Sequence, residues 1–294
     1  MNNCFWQTGE EFRAAQHEVW LPAGNVAHCA VRIRYIDIGQ ALRGTVVLMH
    51  GIPTWGFLYH AIIPPLVSSG FRVIAPDFLG HGWSDRRDKF DRSFQDQARM
   101  IVALLRYLKL DHVHLVGHDT GGAVALILAI EHQPLVDHLV ISNSVCYDRF
   151  DDDMLDFGHP LRWQHRPVSD LVETLEQSLR AGLSNPDRLT KLFRAGIIEP
   201  WASEEGKLSL QRNAMALNAN QTMALVDRHC NIIAPTMVVW GMDDPWQRSE
   251  DGVRLTGEIP GAMFLPINGA SHWVQQDAPE AFSAALIDFF TAAK

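Results

Sequence analysis

A mostly parallel, doubly wound α/β sheet with an inserted helical segment is the fold class that three features of the sequence predict. Short apolar runs that read as buried strands alternate with segments of helical periodicity. Between residues 148 and 227 the strand-like runs stop and only helical patterns remain. A turn punctuated by glycines, Gly117-His118-Asp119-Thr120-Gly121, joins a buried strand to an apolar helix. The chain therefore divides into a first core part (1–147), a helical cap (148–227) and a second core part (228–294).

The elements follow in order. Glu18–Leu21 and Val31–Ile38 read as strands. In the second, Val31, Ile33 and Tyr35 alternate with Arg32 and Arg34, the period of a half-buried strand suited to antiparallel pairing near a sheet edge. Thr45–Met49 is apolar throughout, as a strand covered on both faces should be. A helix is expected from Trp55 to Val67, then a strand at Phe71–Ala75. Phe94 to Leu108 carries Ile101, Leu104, Leu105 and Leu108 at helical spacing. Val113–Val116 is the central strand and Gly121–Ile130 the helix behind the turn; His138–Ser142 is the next strand. In the cap, Leu171, Leu175 and Leu179 recur at i, i+4 and i+8. The acidic run at Asp148, Asp151, Asp152 and Asp153 reads as the solvated start of a cap helix. Strands resume at Thr236–Trp240 and Met263–Ile267, and the chain ends in a helix from Pro279 to Ala292.

Composition excludes several function classes. The formal net charge of -9 argues against nucleic-acid and anionic-membrane partners. No apolar stretch approaches the roughly 20 residues of a membrane span, and the N-terminus lacks the pattern of a secretory signal. Cys4, Cys29, Cys146 and Cys230 are scattered, without CxxC spacing. Free thiols in a reducing cytoplasm are the expected state, and no metal site is expected. His112 and His114 share a strand face, but no third ligand follows at metal spacing.

In open parallel sheets, ligands bind beyond the carboxyl ends of the strands. Asp119 follows the central strand, Asp244 follows Thr236–Trp240, and His272 follows Met263–Ile267. Nucleophile, acid and histidine thus occur in the chain order of a hydrolase triad. The G-x-x-D spacing favours Asp244 over the adjacent Asp243. His118 reads as a packed residue of the turn, and Asp77 as a cap on a loop or helix. The backbone N–H groups of Ile52, in His50-Gly51-Ile52-Pro53, and of Thr120 are the expected oxyanion-hole donors.

Aspartate at the apex changes the chemistry. A carboxylate attacking an ester would give an anhydride, whereas displacement at a saturated carbon gives an alkyl ester on Asp119. Water deprotonated by His272 would then attack that ester's carbonyl, with Asp244 orienting the imidazole. No cofactor is needed. The partners are a small apolar substrate and water; monomer and homodimer both stay open.

These motifs, with Ile74-Ala-Pro-Asp-Phe-Leu-Gly80 and Gly82-Trp-Ser-Asp85, resemble the aspartate-nucleophile branch of the α/β-hydrolase superfamily. The resemblance spans nearly the whole core, leaves out the cap, and is strongest toward haloalkane dehalogenases. Those enzymes place Trp after the nucleophile to hold the halide, and here that position is Thr120. The resemblance therefore implies a cap indole, from Trp163 or Trp201, with Trp55 beside the H-G-x-P loop. Epoxide hydrolases, the runner-up, use cap tyrosines as proton donors. Tyr147 stands only at the cap border, which leaves His159 and His165 as substitutes. An esterase or C–C hydrolase would want serine at 119. A catalytically silent ligand-binding protein is the alternative of a different class.

Overall fold

The computed structural model describes residues 5–24 and 26–292; Cys4 lies outside them. Helix α1 (Gly9–Ala15) leads into β1 (His17–Leu21) and β2 (Val31–Ile38), then β3 (Thr45–Met49). After α2 (Ile63–Ser68) come β4 (Arg72–Pro76), α3 (Phe94–Tyr107), β5 (Val113–Asp119), α4 (Thr120–Glu131) and β6 (Val136–Ser144). Helices alone follow: α5 (Asp152–Phe157), α6 (Pro160–Trp163), α7 (Val168–Ala181), α8 (Lys191–Ile198), α9 (Glu204–Met215) and α10 (Ala219–Met223). The chain returns through β7 (Thr236–Gly241), α11 (Ser249–Glu258), β8 (Met263–Ile267), α12 (Val274–Asp277) and α13 (Pro279–Thr291).

The eight strands form one sheet in the order β1-β2-β4-β3-β5-β6-β7-β8. β2 pairs antiparallel with both β1 and β4, and every other pairing is parallel. β3 and β5 are buried at every position, consistent with helices on both faces. Helix α3 starts at Ser93, whose hydroxyl accepts from the Asp96 N–H at 3.2 Å, and buries Ala98, Ile101, Leu104 and Leu105. Helix α4 is buried on all sides except at its last residue, because it packs directly behind β5 and β6.

The expected helix from Trp55 to Val67 is instead two pieces, a 3-10 turn at Gly56–Tyr59 and α2. Pro64 and Pro65 lack the N–H groups a continuous helix would need; in the first turn of α2 those donors are not missed. The central strand runs to Asp119 itself, three residues beyond the apolar run, because the ladder with β6 continues to Ser144. No described helix is long and apolar enough to cross a membrane.

The turn after β5 is the tightest point of the sheet. Asp119 has φ 53° and ψ -123°, a conformation that L-residues seldom adopt. A β-carbon on Gly117 would lie 2.5 Å from the Gly121 carbonyl oxygen and 2.7 Å from the Gly122 Cα. One on Gly121 would run into the backbone of Met49 and His50. Gly117→Ala should therefore cost about 1–3 kcal/mol through overpacking, read as a lower urea midpoint with an unchanged m-value.

Candidate active site

Three strand ends bring the site together. β5 presents Asp119, the loop after β7 presents Asp244, and the loop after β8 presents His272. His272 Nδ1 lies 2.9 Å from Asp244 Oδ2, with both side chains almost wholly buried. The carboxylate can only accept, so Nδ1 carries the proton and Nε2 holds the lone pair. Asp243 is exposed, and only its backbone carbonyl takes a side-chain bond, from Ser271 Oγ at 3.1 Å.

Asp244 is fully supported. Its Oδ1 accepts from the Trp246 and Gln247 N–H groups at 2.8 and 3.0 Å. Its Oδ2 accepts from Asn143 Nδ2 at 2.7 Å. Asn143, at φ 40°, also grips Gly241 through both amide atoms, at 2.9 and 3.2 Å. Ser144, one residue on, donates to the Asp119 carbonyl at 2.8 Å. The sequence reading missed Asn143 and Ser144. Their signal is the polar run Ser142-Asn143-Ser144 at the carboxyl end of an otherwise apolar buried strand.

Asp119 Oδ1 accepts the Ile52 N–H at 2.8 Å, and its carboxylate also accepts the N–H of Thr120. The two expected donors thus converge on the carboxylate itself. Gly51 has to be glycine, since a β-carbon there would collide with Asp119. Burial raises the Asp119 pKa to about 6, opposed by His272 and by the two N–H groups. Burial also opposes charge on His272, but the Asp244 and Asp119 carboxylates outweigh it and hold the imidazole's pKa above its usual range. His118 Nδ1 bonds the Ser142 carbonyl at 3.1 Å; burial and the neighbouring His272 push its pKa well down, so it stays neutral. Asp77 ties down the loop after β3, accepting from Gly56 N at 3.0 Å, Trp83 N at 2.8 Å and Gln16 Nε2 at 3.0 Å.

A narrow cavity opens on this apparatus. Asp119, His272, Trp246 and Trp273 form its floor, and Asp151, Met154, Phe157 and Ser178 reach it from the cap. The Trp246 and Trp273 rings stand edge-on to the imidazole, with centroids at 5.0 and 4.4 Å. Both were missed, although each lies within two residues of a triad member. The acidic run starts α5 as expected, with Asp152 and Asp153 exposed; Asp151 is partly buried, caps the helix by accepting from Met154 N at 2.7 Å, and burial raises its pKa.

The structure does not bring the six expected leaving-group residues to this cavity. Trp163 donates its indole N–H to the Asp156 carbonyl at 3.0 Å, Trp201 to Pro53 at 2.7 Å, and Trp55 to Gly196 at 2.8 Å. A buried indole N–H is held by whichever carbonyl lies nearest, and here the last two staple cap to core. Tyr147 donates to Glu258 at 2.9 Å, away from Asp119, and His159 and His165 are exposed. Among the described residues no group of three or more His, Cys, Asp or Glu side chains could hold a metal.

This fold and this site define a hydrolase class, and the comparisons with known proteins agree. The profile described as alpha/beta hydrolase fold matches residues 44–279, so the chain belongs to that family. It is 29% identical over 269 residues to haloalkane dehalogenase 2 of Mycobacterium tuberculosis, covering 88% of this chain and 91% of that one. It is 25% identical over 272 residues to a 2-hydroxy-6-oxononadienedioate/2-hydroxy-6-oxononatrienedioate hydrolase of Cupriavidus pinatubonensis, covering 88% and 90%. An alpha/beta hydrolase fold protein from Burkholderia ambifaria superposes with a TM-score of 0.82 at 26% identity, covering 93% of this chain and 99% of the other. The chain is a hydrolase.

Asp244→Asn should leave burial at His272 opposed by Asp119 and Asp151 alone. The imidazole pKa should then fall, as read by NMR titration of its Cε1 proton. An unmoved pKa would mean that Asp244 does not govern His272.

Proposed function

We propose that the chain forms an alkyl ester on Asp119 and hydrolyses it with water activated by His272, cleaving a carbon–halogen bond. The observation that carries this reading is the Ile52 N–H donating to Asp119 Oδ1 at 2.8 Å. With Oδ1 in the hole, attack on carbon falls to Oδ2. The C–O bond forms as the C–X bond breaks, and the halide leaves with the electron pair. The ester carbonyl is then already among the donors that will stabilise its tetrahedral adduct. Alkylation also removes the charge of Asp119, one of the carboxylates that raise the His272 pKa. The first step thereby makes His272 a better-populated base for the second.

In this second step water adds to Cγ as His272 Nε2 takes its proton, and collapse of the adduct expels the original Oδ2 with the alkyl group, the proton returning from His272 to give the alcohol. The 29% identical haloalkane dehalogenase supports the halide as leaving group. The 25% identical oxononadienedioate hydrolase supports C–C cleavage, but a serine nucleophile would suit that reaction better than Asp119. The leaving group's N–H donors differ from those the sequence suggested. Trp273 lines the cavity and its buried Nε1 has no partner among the described residues, which makes it the indole best placed for the role.

A second reading, epoxide opening, has one observation in its favour. It requires a proton donor for the alkoxide, and the Asp151 carboxyl, its pKa raised by burial, lines the same cavity as Asp119. Asp151→Asn tests it. If epoxide opening is native, diol formation from styrene oxide should fall by roughly 100-fold or more while bromide release from 1-bromobutane persists.

His272→Ala should trap the ester. Mass spectrometry after exposure to an active bromide should find the added alkyl group on the peptide carrying Asp119, and an adduct elsewhere would sink the assignment. The alkylation step should follow ionisation of Asp119. It should level off above about pH 6 and fall to roughly a tenth of the plateau one pH unit below that, read as single-turnover bromide release.

A further inference from the structure

His272 has two supports, and Asp244 is only one of them. Asp244 orients the ring. The backbone that carries the ring is held from another direction. The N–H of Ser271, the residue before it, donates to Asp277 Oδ2 at 2.8 Å. The N–H of Trp273, the residue after it, donates to the carbonyl of Gly182, at the C-terminal end of α7, at 3.1 Å.

Asp277 joins the two sides. The oxygen that accepts from Ser271 also accepts the Ser184 N–H at 3.0 Å. Ser184 Oγ donates to the Gly269 carbonyl at 2.5 Å, and Gln276 Nε2 to the Arg188 carbonyl at 2.7 Å. These bonds zip residues 182–188 to residues 269–277. Asp277 is 6% exposed, with no cation within ion-pair distance among the described residues, and its Oδ1 has no partner there. A buried carboxylate without a counter-ion is costly. What this one does is hold N–H groups of two separate loops on one charged oxygen.

Gly182 makes the seat close. A β-carbon there would lie 2.5 Å from both Trp246 Cζ3 and Trp273 Nε1, on the two indoles that stand edge-on to the imidazole. One turn earlier on α7, Ser178 lines the cavity that holds Asp119 and His272. The helix that reaches the cavity therefore ends on the histidine loop.

We propose that Asp277 is a positioning residue for His272. It locks the histidine loop to the end of α7, so that the imidazole is aligned for attack of water on the ester only while α7 is seated. The kinetic consequence rests on the Asp119 reading; the geometry does not. Alkylation of Asp119 needs no base, so a misaligned imidazole should spare the first step and slow the second.

The test compares Asp277→Ala, Asp277→Asn and Ser184→Ala with the wild type on an active bromide. Asp277→Ala should slow ester hydrolysis by roughly 10- to 100-fold and leave single-turnover bromide release within a few-fold. The alkyl adduct on the Asp119 peptide should then accumulate during turnover. Asp277→Asn should recover most of the hydrolysis rate, because one amide oxygen can accept both N–H groups. A second readout needs no substrate. The His272 Nδ1 proton, held against Asp244, should give a sharp downfield NMR signal in the wild type, broaden in Asp277→Ala and return in Asp277→Asn. Equal slowing of both steps, or an unmoved Nδ1 signal in Asp277→Ala, would leave Asp277 a structural residue and overturn the proposal. If Asp277→Ala fails to fold, Ser184→Ala decides, since it removes only the bond to Gly269. It should slow hydrolysis a few-fold with bromide release unchanged, and hydrolysis at the wild-type rate would overturn the link to α7. If His272→Ala forms no ester with any bromide, the Asp119 reading falls, and the Nδ1 signal still decides the positioning role.

Discussion

The structure depends on a single backbone position held against its preference. Asp119 sits at φ 53° at the end of β5, and the strain there is borne by what surrounds it. Gly117 and Gly121 let the strand and helix close to within a β-carbon of each other. Ser144 holds the Asp119 carbonyl, and Ile52 holds its carboxylate. Relaxing the turn would move the carboxylate away from its donors and from His272 together. The geometry of the sheet and the geometry of the chemistry are thus one constraint.

Electrostatics adds a second layer. Asp119 is buried and made more basic, but the amides of Ile52 and Thr120 and the nearby imidazole draw it back toward the charged form. His272 is the mirror case, buried yet with its pKa held up by the Asp244 and Asp119 carboxylates. Each group is adjusted by the other, so a change in the charge of one alters the readiness of the other. His118, packed 4.7 Å from His272, is pushed to neutrality and adds no competing charge.

The cap contributes by closure and by shape. Trp201 and Trp55 exchange indole bonds across the boundary, the first from cap to Pro53 and the second from core to Gly196. Both bonds end next to the loop that carries Ile52. The helical segment therefore braces the loop that carries Ile52 as well as lining the cavity with Met154 and Phe157.

The sequence by itself determined the sheet, the turn and the placing of Asp119, Asp244 and His272 just beyond strand ends. These rest on local signals: apolar runs for doubly covered strands, glycines where a β-carbon has no room, and acid and histidine just beyond strand ends. That the Ile52 and Thr120 N–H groups lie beside Asp119 was legible for the same reason, because a backbone donor is placed by the chain path and not by its side chain. The break before Pro64-Pro65 was also written locally, though the apolar pattern hid it. Only the tertiary structure decided which side chains face the cavities. Trp163, Trp201 and Tyr147 carry the right groups for a leaving-group site, but each is held by a partner 7 to 148 residues away in sequence. Asn143 reaches Asp244 across 101 residues, and Arg92 meets Ser209 across 117. A cap helix can turn any of its polar groups inward without altering its periodicity, so such pairings leave no periodic trace. They follow from the packing of cap on core, where burial forces each polar atom toward the nearest partner.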